Sequence, residues 1–284
     1  MSEANTEAVH RMFRGAAELS KAMKSGALAA EILAALIAAW RAFNPQLEWS
    51  AWASFWLAIL VVVGFALRVR AEYIYSFAEK CRRIASAAYA RGQSVSSVIR
   101  TSLSVDEPFL ANRLSRRLPT QTLEDYYETT TPTGEARLRE IYAHSAFYSW
   151  RLMHVTFHVY LWSAIFIGSV GAAAIYAMAA TQVNATVAHR VLDVVCSIVF
   201  AFLAARMVAA CLSAWCRSRE CRNAADELAG TITRDRLREV VVNYDIERAC
   251  GPAVPTLVYR RCRDALQSEW HLRRDEMGPV ILVG

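Results

Sequence analysis

Residues 155–180 read VTFHVYLWSAIFIGSVGAAAIYAMAA, a run that contains no Asp, Glu, Lys or Arg. Built as an α-helix it spans about 39 Å at 1.5 Å per residue, more than the roughly 30 Å hydrocarbon core of a bilayer. A soluble domain has little use for a helix that is apolar on all sides. The run therefore places the chain among membrane proteins, and three more charge-poor stretches extend that reading. Residues 191–216 follow after a short polar link, while 26–43 (GALAAEILAALIAAWRAF) and 51–67 (AWASFWLAILVVVGFAL) form an earlier pair. Glu31 and Arg41 interrupt the first of these. Overall, 55% of the 284 residues are hydrophobic and eight are Trp, in keeping with this class.

The fold expected is an all-α membrane protein: two transmembrane hairpins, making four spans, with long stalk helices and a cytoplasmic helical bundle. Its segments are 1–25 (N-terminal, cytoplasmic), 26–67 (hairpin 1), 68–154 (cytoplasmic insert), 155–216 (hairpin 2) and 217–284 (cytoplasmic tail). Because 1–25 is polar and no small-residue cleavage site follows a short apolar core, no cleaved signal peptide is expected.

Orientation follows from Lys and Arg. The links 44–50 and 181–189 have none, whereas 1–25 carry four, 68–154 thirteen and 217–284 twelve. Both termini and the insert are thus expected in the cytoplasm, and the net charge of +6 largely reflects this asymmetry. DNA and RNA are not expected partners, because acidic residues nearly balance the basic ones in the tail.

Seven cysteines include no C-x-x-C pair. Cys211, Cys216 and Cys221 recur every five residues, about 140° apart on a helix, and do not converge as metal ligands. His154 and His158 are one turn apart, but no carboxylate or thiol nearby in sequence completes a metal set. No metal or other cofactor is expected. The chain also lacks a Ser-His-Asp arrangement, paired catalytic carboxylates and HExxH, so it is not expected to be an enzyme.

Between the apolar pairs, RVRAEYIYSFAEKCRRIASAAYARG continues without Gly or Pro to Gly92, with Tyr73, Phe77, Cys81, Ile84 and Ala88 on one helical face. SVSSVIRTSLSVDEPF is ambiguous, and its SVDEP supplies turn chemistry. The stretch TTTPTGEAR (129–137) looks at first like a phosphate loop, but it lacks the second Gly and the Lys of that pattern. Thr131 as N-cap with Pro132 at the first helical position instead predicts the start of a helix of some 45 residues, running into 155–180. Its N-terminal N–H groups could still meet an anion. In the tail, RSRECRNAADELAGTI and TRDRLREVVVNYDIERA read as helix, CGPAVPT as a break, and LVYRRCRDALQSEWHLRRDEM as a final helix.

Two short motifs accompany this layout: L-P…L-x-D-Y-Y…P-x-G-x-x-R-L from Leu118 to Leu138, and V-Y-R-R-x-R from Val258 to Arg263 after a Pro-x-x-Pro turn. With them the chain resembles the SMODS-associated four-transmembrane effectors of bacterial anti-phage defence, with Tyr126-Tyr127 where that family has Trp-Tyr. The resemblance implies a partner synthase that makes a cyclic di- or trinucleotide on infection. It further implies that the effector senses this messenger and damages the inner membrane.

Nucleotide recognition needs Arg for phosphates and an aromatic face for a base. Arg113, Arg116 and Arg117 with Tyr126, Tyr127 and Arg137 form one candidate set; Tyr259, Arg260, Arg261 and Arg263 form the other. A basic surface facing anionic headgroups would look similar. Within the spans, Glu31 and Arg206 are the ionisable candidates, either as a polar path between protomers or simply as a pair. Small residues at four-residue spacing (Ala30, Ala34, Ala38; Ala164, Gly168, Ala172; Ala201, Ala205, Ala209) offer close helix contacts, within a protomer or in a homo-oligomer. A constitutive channel or transporter, and a membrane scaffold binding a protein partner, are the alternative functions.

Overall fold

In the computed structural model, the structure describes residues 3–43, 50–118, 122–127, 129, 131–181, 187–249, 254–276 and 282–283. They are almost entirely helical. Four helices are long: α1 (Glu3–Phe43), α2 (Ser50–Ala90), α6 (Glu135–Thr181) and α7 (Val187–Ala229). Shorter ones are α3 (Ser97–Asp106), α4 (Phe109–Ser115), α5 (Leu123–Tyr127), α8 (Arg234–Ala249) and α9 (Thr256–Glu276). A two-residue parallel ladder pairs β1 (Ile232–Thr233) with β2 (Leu282–Val283). Among the described residues, α1, α6 and α7 are long and apolar enough to cross a membrane. The expected span at 51–67 includes positions 51, 53 and 54, whose side chains lie outside the described set.

The chain divides into two compact units. A polar unit comprises Met1–Ala22, Ala71–Val155 and Ala214–Gly284; an apolar unit comprises Met23–Arg70 and Thr156–Ser213. The long helices contribute residues to both.

In the polar unit, glycine lets α1 lie against α4. A Cβ on Gly15 would come within 2.6 Å of both the Ala111 carbonyl and Ser115 Cβ. The Ser20 hydroxyl donates to the Ala71 carbonyl at 2.8 Å, tying α1 to α2. Arg139 of α6, 2% exposed, donates to the carbonyls of Leu228, Ala229 and Gly230. Those are end-of-helix acceptors on α7 with no partner inside the helix, so one cation satisfies the terminus and its dipole together.

The start of α6 differs from expectation. It begins at Glu135 rather than just after Thr131, and the Leu138 N–H donates to the Gly134 carbonyl at 3.0 Å. Gly134 has a φ of 132°, which a side chain would strain. Thr131 does not cap because its hydroxyl, like that of Thr129, donates to the Glu140 carboxylate. Its carbonyl is held by Arg137 Nε at 2.7 Å. The threonines serve a buried acid, not a phosphate. Within the ambiguous 94–109 stretch, Ser97–Asp106 folds as α3, capped by the Ser96 hydroxyl, which accepts from the Ile99 N–H, and Phe109 opens α4.

In the apolar unit, Ala30, Ala34 and Ala38 are buried, as are Leu57, Ile167, Phe200, Leu203 and Met207. Trp162, Phe166, Val195, Ile198, Phe202, Val208 and Leu212 face outward, the inverse of a water-soluble bundle. The stripe Ala201, Ala205, Ala209 is exposed, and a Cβ on Gly168 would meet nothing within 4 Å. Of the three small-residue stripes, the one on α1 packs within the chain.

Candidate functional site

A cavity of ≈ 370 Å³ opens within the polar unit. One face of α1 supplies Phe13, Arg14, Glu18 and Lys21, at helical spacing. Tyr75 and Glu79 come from α2, Asp125 and Tyr126 from α5, and His144, Tyr148 and Ser149 from α6. The far wall is Arg248 of α8 with Tyr259, Arg263 and Gln267, a four-residue stripe along α9. Lys21 Nζ sits 2.7 Å from Glu18 and 4.0 Å above the Tyr259 ring. Tyr126 is held by edge contacts with Phe13, His10 and Tyr127. The volume lies within the range of small-ligand sites.

Beneath the cavity runs a buried ionic network. Glu79, 1% exposed, accepts from Arg82 Nε at 2.6 Å and from Arg248 Nε at 2.9 Å. Arg82 continues to Asp245 at 2.6 Å, and Asp245 accepts from the Tyr142 hydroxyl at 2.8 Å. Arg248 also donates to the Ser149 and Tyr244 hydroxyls. Two carboxylates face two guanidiniums, so the network is neutral. Burial pushes the Glu79 carboxyl up, but Arg248 and Arg82 outweigh it and hold the group down at about 2.

Comparison with known proteins gives no identification. No protein-family model matches the chain, and neither a curated protein nor a solved structure matches it.

Of the sequence-selected ligand residues, Tyr126, Tyr259 and Arg263 line the cavity. Arg116, Arg117, Arg260 and Arg261 point into solvent. Tyr127 is buried, its hydroxyl 2.6 Å from that of Ser86. Arg137 lies 5.1 Å over the Tyr89 ring and holds Thr131, so it serves the α6 start. Sequence reading missed Arg14, Lys21, His144 and Arg248, which lie far from the motifs in the chain. A signal existed for α9: Tyr259, Arg263 and Gln267 share a face, whereas Arg260 and Arg261 are turned 100° and 200° from Tyr259.

In the apolar unit, Glu31 of α1 is 1% exposed and meets two cations. Arg68 Nη2 of α2 donates to it at 2.6 Å, and Arg206 Nη1 of α7 lies 2.9 Å away. Tyr160 of α6 is hydrogen-bonded to Arg68. All four long helices meet at this cluster, and the expected pair Glu31–Arg206 is a trio. The Arg41 guanidinium, 4% exposed, points Nη1 at Cys196 Sγ, 2.8 Å away. Among the described residues, no group of three metal-binding side chains occurs.

Proposed function

We propose that this chain is a multi-pass effector of anti-phage defence in the bacterial inner membrane. On this reading a cyclic nucleotide binds the polar-unit cavity, and the apolar unit then disrupts or permeabilises the bilayer. The observation that carries it is the cavity itself. Tyr126 and Tyr259 offer ring faces to a base, while Arg14, Arg248 and Arg263 offer guanidiniums to phosphate, in one concave site. The motifs shared with the four-transmembrane effectors supply the cyclic character of the ligand.

The remaining parts of the reading have separate support. Trp52, Phe55, Trp56, Val62 and Phe65 of α2 are exposed, which favours a fourth span and two hairpins. The Lys and Arg distribution favours cytoplasmic termini and insert. Exposed Ala201, Ala205 and Ala209 favour a homo-oligomer, because small residues admit close helix contact. The four long helices are the proposed link between ligand and membrane. A scaffold role is favoured by a different observation: Val98, Val105, Phe109 and Leu110 of α3 and α4 are exposed on the polar unit.

The deciding measurement is dye release from liposomes holding the purified chain, with a panel of cyclic di- and trinucleotides. Release with one nucleotide is expected. It should be lost in Tyr259→Ala and Arg263→Gln and kept in the solvent-facing control Arg260→Gln. Folded protein silent across the panel would overturn the reading in favour of the scaffold. Release without nucleotide would favour a constitutive channel.

A further inference from the structure

We propose that His144 selects the base of the bound nucleotide, donating a hydrogen bond from Nε2 to a carbonyl oxygen on the base edge. This rests on the nucleotide reading of the cavity and adds which bases it takes: guanine and uracil, which carry a carbonyl where adenine and cytosine carry an amine. Stacking on Tyr126 or Tyr259 tells bases apart poorly, because every base has a π-face. The guanidiniums of Arg14, Arg248 and Arg263 suit phosphate, which is the same in every nucleotide. Discrimination needs a side chain that hydrogen-bonds the base edge itself. His144 is placed for that. It lines the cavity from α6, and among the described residues no hydrogen bond reaches either of its ring nitrogens. Polar groups inside a fold are seldom left in that condition.

Aromatic neighbours fix the imidazole. Between ring centroids, Tyr148 lies 4.4 Å away, Trp270 4.9 Å and Tyr127 5.9 Å. Tyr127 in turn meets Tyr126 at 4.8 Å, so His144 and the Tyr126 ring belong to one end of the cavity. Lys21 over Tyr259 marks the other end, because Lys21 and Phe13, the neighbour of Tyr126, are about 12 Å apart along α1. Aromatic walls of this kind suit a base rather than a phosphate. Nδ1 is buried without a partner, which leaves Nε2 as the nitrogen a bound molecule can meet. Burial, with Arg248, His271 and Arg274 acting the same way, holds the ring neutral, down at about 3, so it carries a single N–H. On Nδ1 that hydrogen would be a buried, unpaired donor; on Nε2 it faces the ligand. Nε2 therefore donates, and a base carbonyl accepts where an amine presents a second donor.

The test is calorimetric affinity of the full-length protein in detergent for cyclic di- and trinucleotides, each built from a single base type. The guanine and uracil members are expected to bind about tenfold tighter than the adenine and cytosine members. His144→Phe should bring that ratio toward one. His144→Gln, whose amide nitrogen can stand in for Nε2, should restore much of it. Adenine or cytosine members bound as tightly as the guanine and uracil ones would overturn the base selection and leave the nucleotide reading of the cavity intact. A preference that survives in folded His144→Phe would take the role away from His144. No binding by any member, from protein shown to be folded, overturns both readings. The wild-type comparison can sink the proposal even if a variant fails to fold.

Discussion

Two buried charge clusters among the described residues, one in each unit, are built on different plans. In the polar unit Glu79, Arg82, Asp245 and Arg248 are matched two against two, and Tyr142, Tyr244 and Ser149 satisfy further donors and acceptors. In the apolar unit Glu31 faces both Arg68 and Arg206. Each cluster keeps one buried guanidinium nitrogen without a hydrogen bond, Arg82 Nη1 in the first and Arg68 Nε in the second. A charge-matched network fixes how helices pack. Charges in apolar surroundings are costly, and the Glu31 carboxylate offsets that cost for both guanidiniums at once. The polar cluster pairs its charges two against two; at Glu31 one carboxylate meets two guanidiniums.

The largest way to break that contrast is to unbalance the polar cluster. Arg82→Met leaves Glu79 and Asp245 with Arg248 as the one remaining guanidinium, at a site 1% exposed. Removing one partner of a buried pair costs about 3–5 kcal/mol. We expect a large fall in thermal midpoint in detergent, with loss of helix signal at 37 °C. A midpoint within a few degrees of wild type would show that the network holds little.

Acid should loosen the same cluster. The Glu79 carboxyl sits at about 2 in the folded protein, below its ordinary value near 4.5. A depressed carboxylate contributes stability that is fully present above the unfolded value and is lost as pH falls through the folded one. Between pH 4.5 and 2 the polar unit should therefore weaken, on the order of 2 kcal/mol by pH 3 from this group. Unfolding midpoints across that window check it. A profile as steep in Glu79→Gln as in wild type would assign the acid sensitivity elsewhere.

Much of this contrast could be read before the structure, and some could not. The runs at 155–180 and 191–216 announced helices long and apolar enough to cross a membrane, because that needs only composition and length. Glu31 and Arg206 were singled out because a charge in such a run is rare. Arg68 was missed as the third member because it closes its apolar run and looks like a flanking charge. The cavity was half legible. Tyr126, Tyr259 and Arg263 lie in recognisable motifs, but Arg14, Lys21, His144 and Arg248 meet them only through long-range packing of α1, α6 and α8. The start of α6 was misplaced by a competing hydrogen bond: Glu140 captured the hydroxyl expected to cap.

Glycines sharpen the comparison by packing. Gly15 is hemmed in by Ala111 and Ser115 at 2.6 Å, while Gly168 faces open space. Gly15→Ala must push α4 away, at about 1–3 kcal/mol for overpacking. Gly168→Ala should leave the isolated chain unchanged or slightly more stable, since alanine favours helix. Thermal midpoints of the two variants test both claims. If Gly168→Ala nevertheless impaired dye release, the open face would be one that another copy covers.

The smallest expected effect is the most discriminating. Arg206→Met removes one of the two cations at Glu31 and leaves the Arg68 pair, with its 2.6 Å contact, intact. It turns the unmatched cluster into a matched one and replaces a buried guanidinium by an apolar side chain of similar length. Exchanging buried ionic groups for well-packed apolar ones is often neutral or stabilising by about 1–4 kcal/mol. Retention of one ion pair puts the expectation at the low end, about 1 kcal/mol more stable. The same substitution at the polar cluster is expected to unfold the protein. A clear loss of stability in Arg206→Met would mean that Arg206 fastens the helices as Arg82 does, and the two clusters would be alike. A gain in stability would show that the Glu31–Arg68 pair alone is enough to hold α1 against α2 and that the second guanidinium is not what fastens the helices.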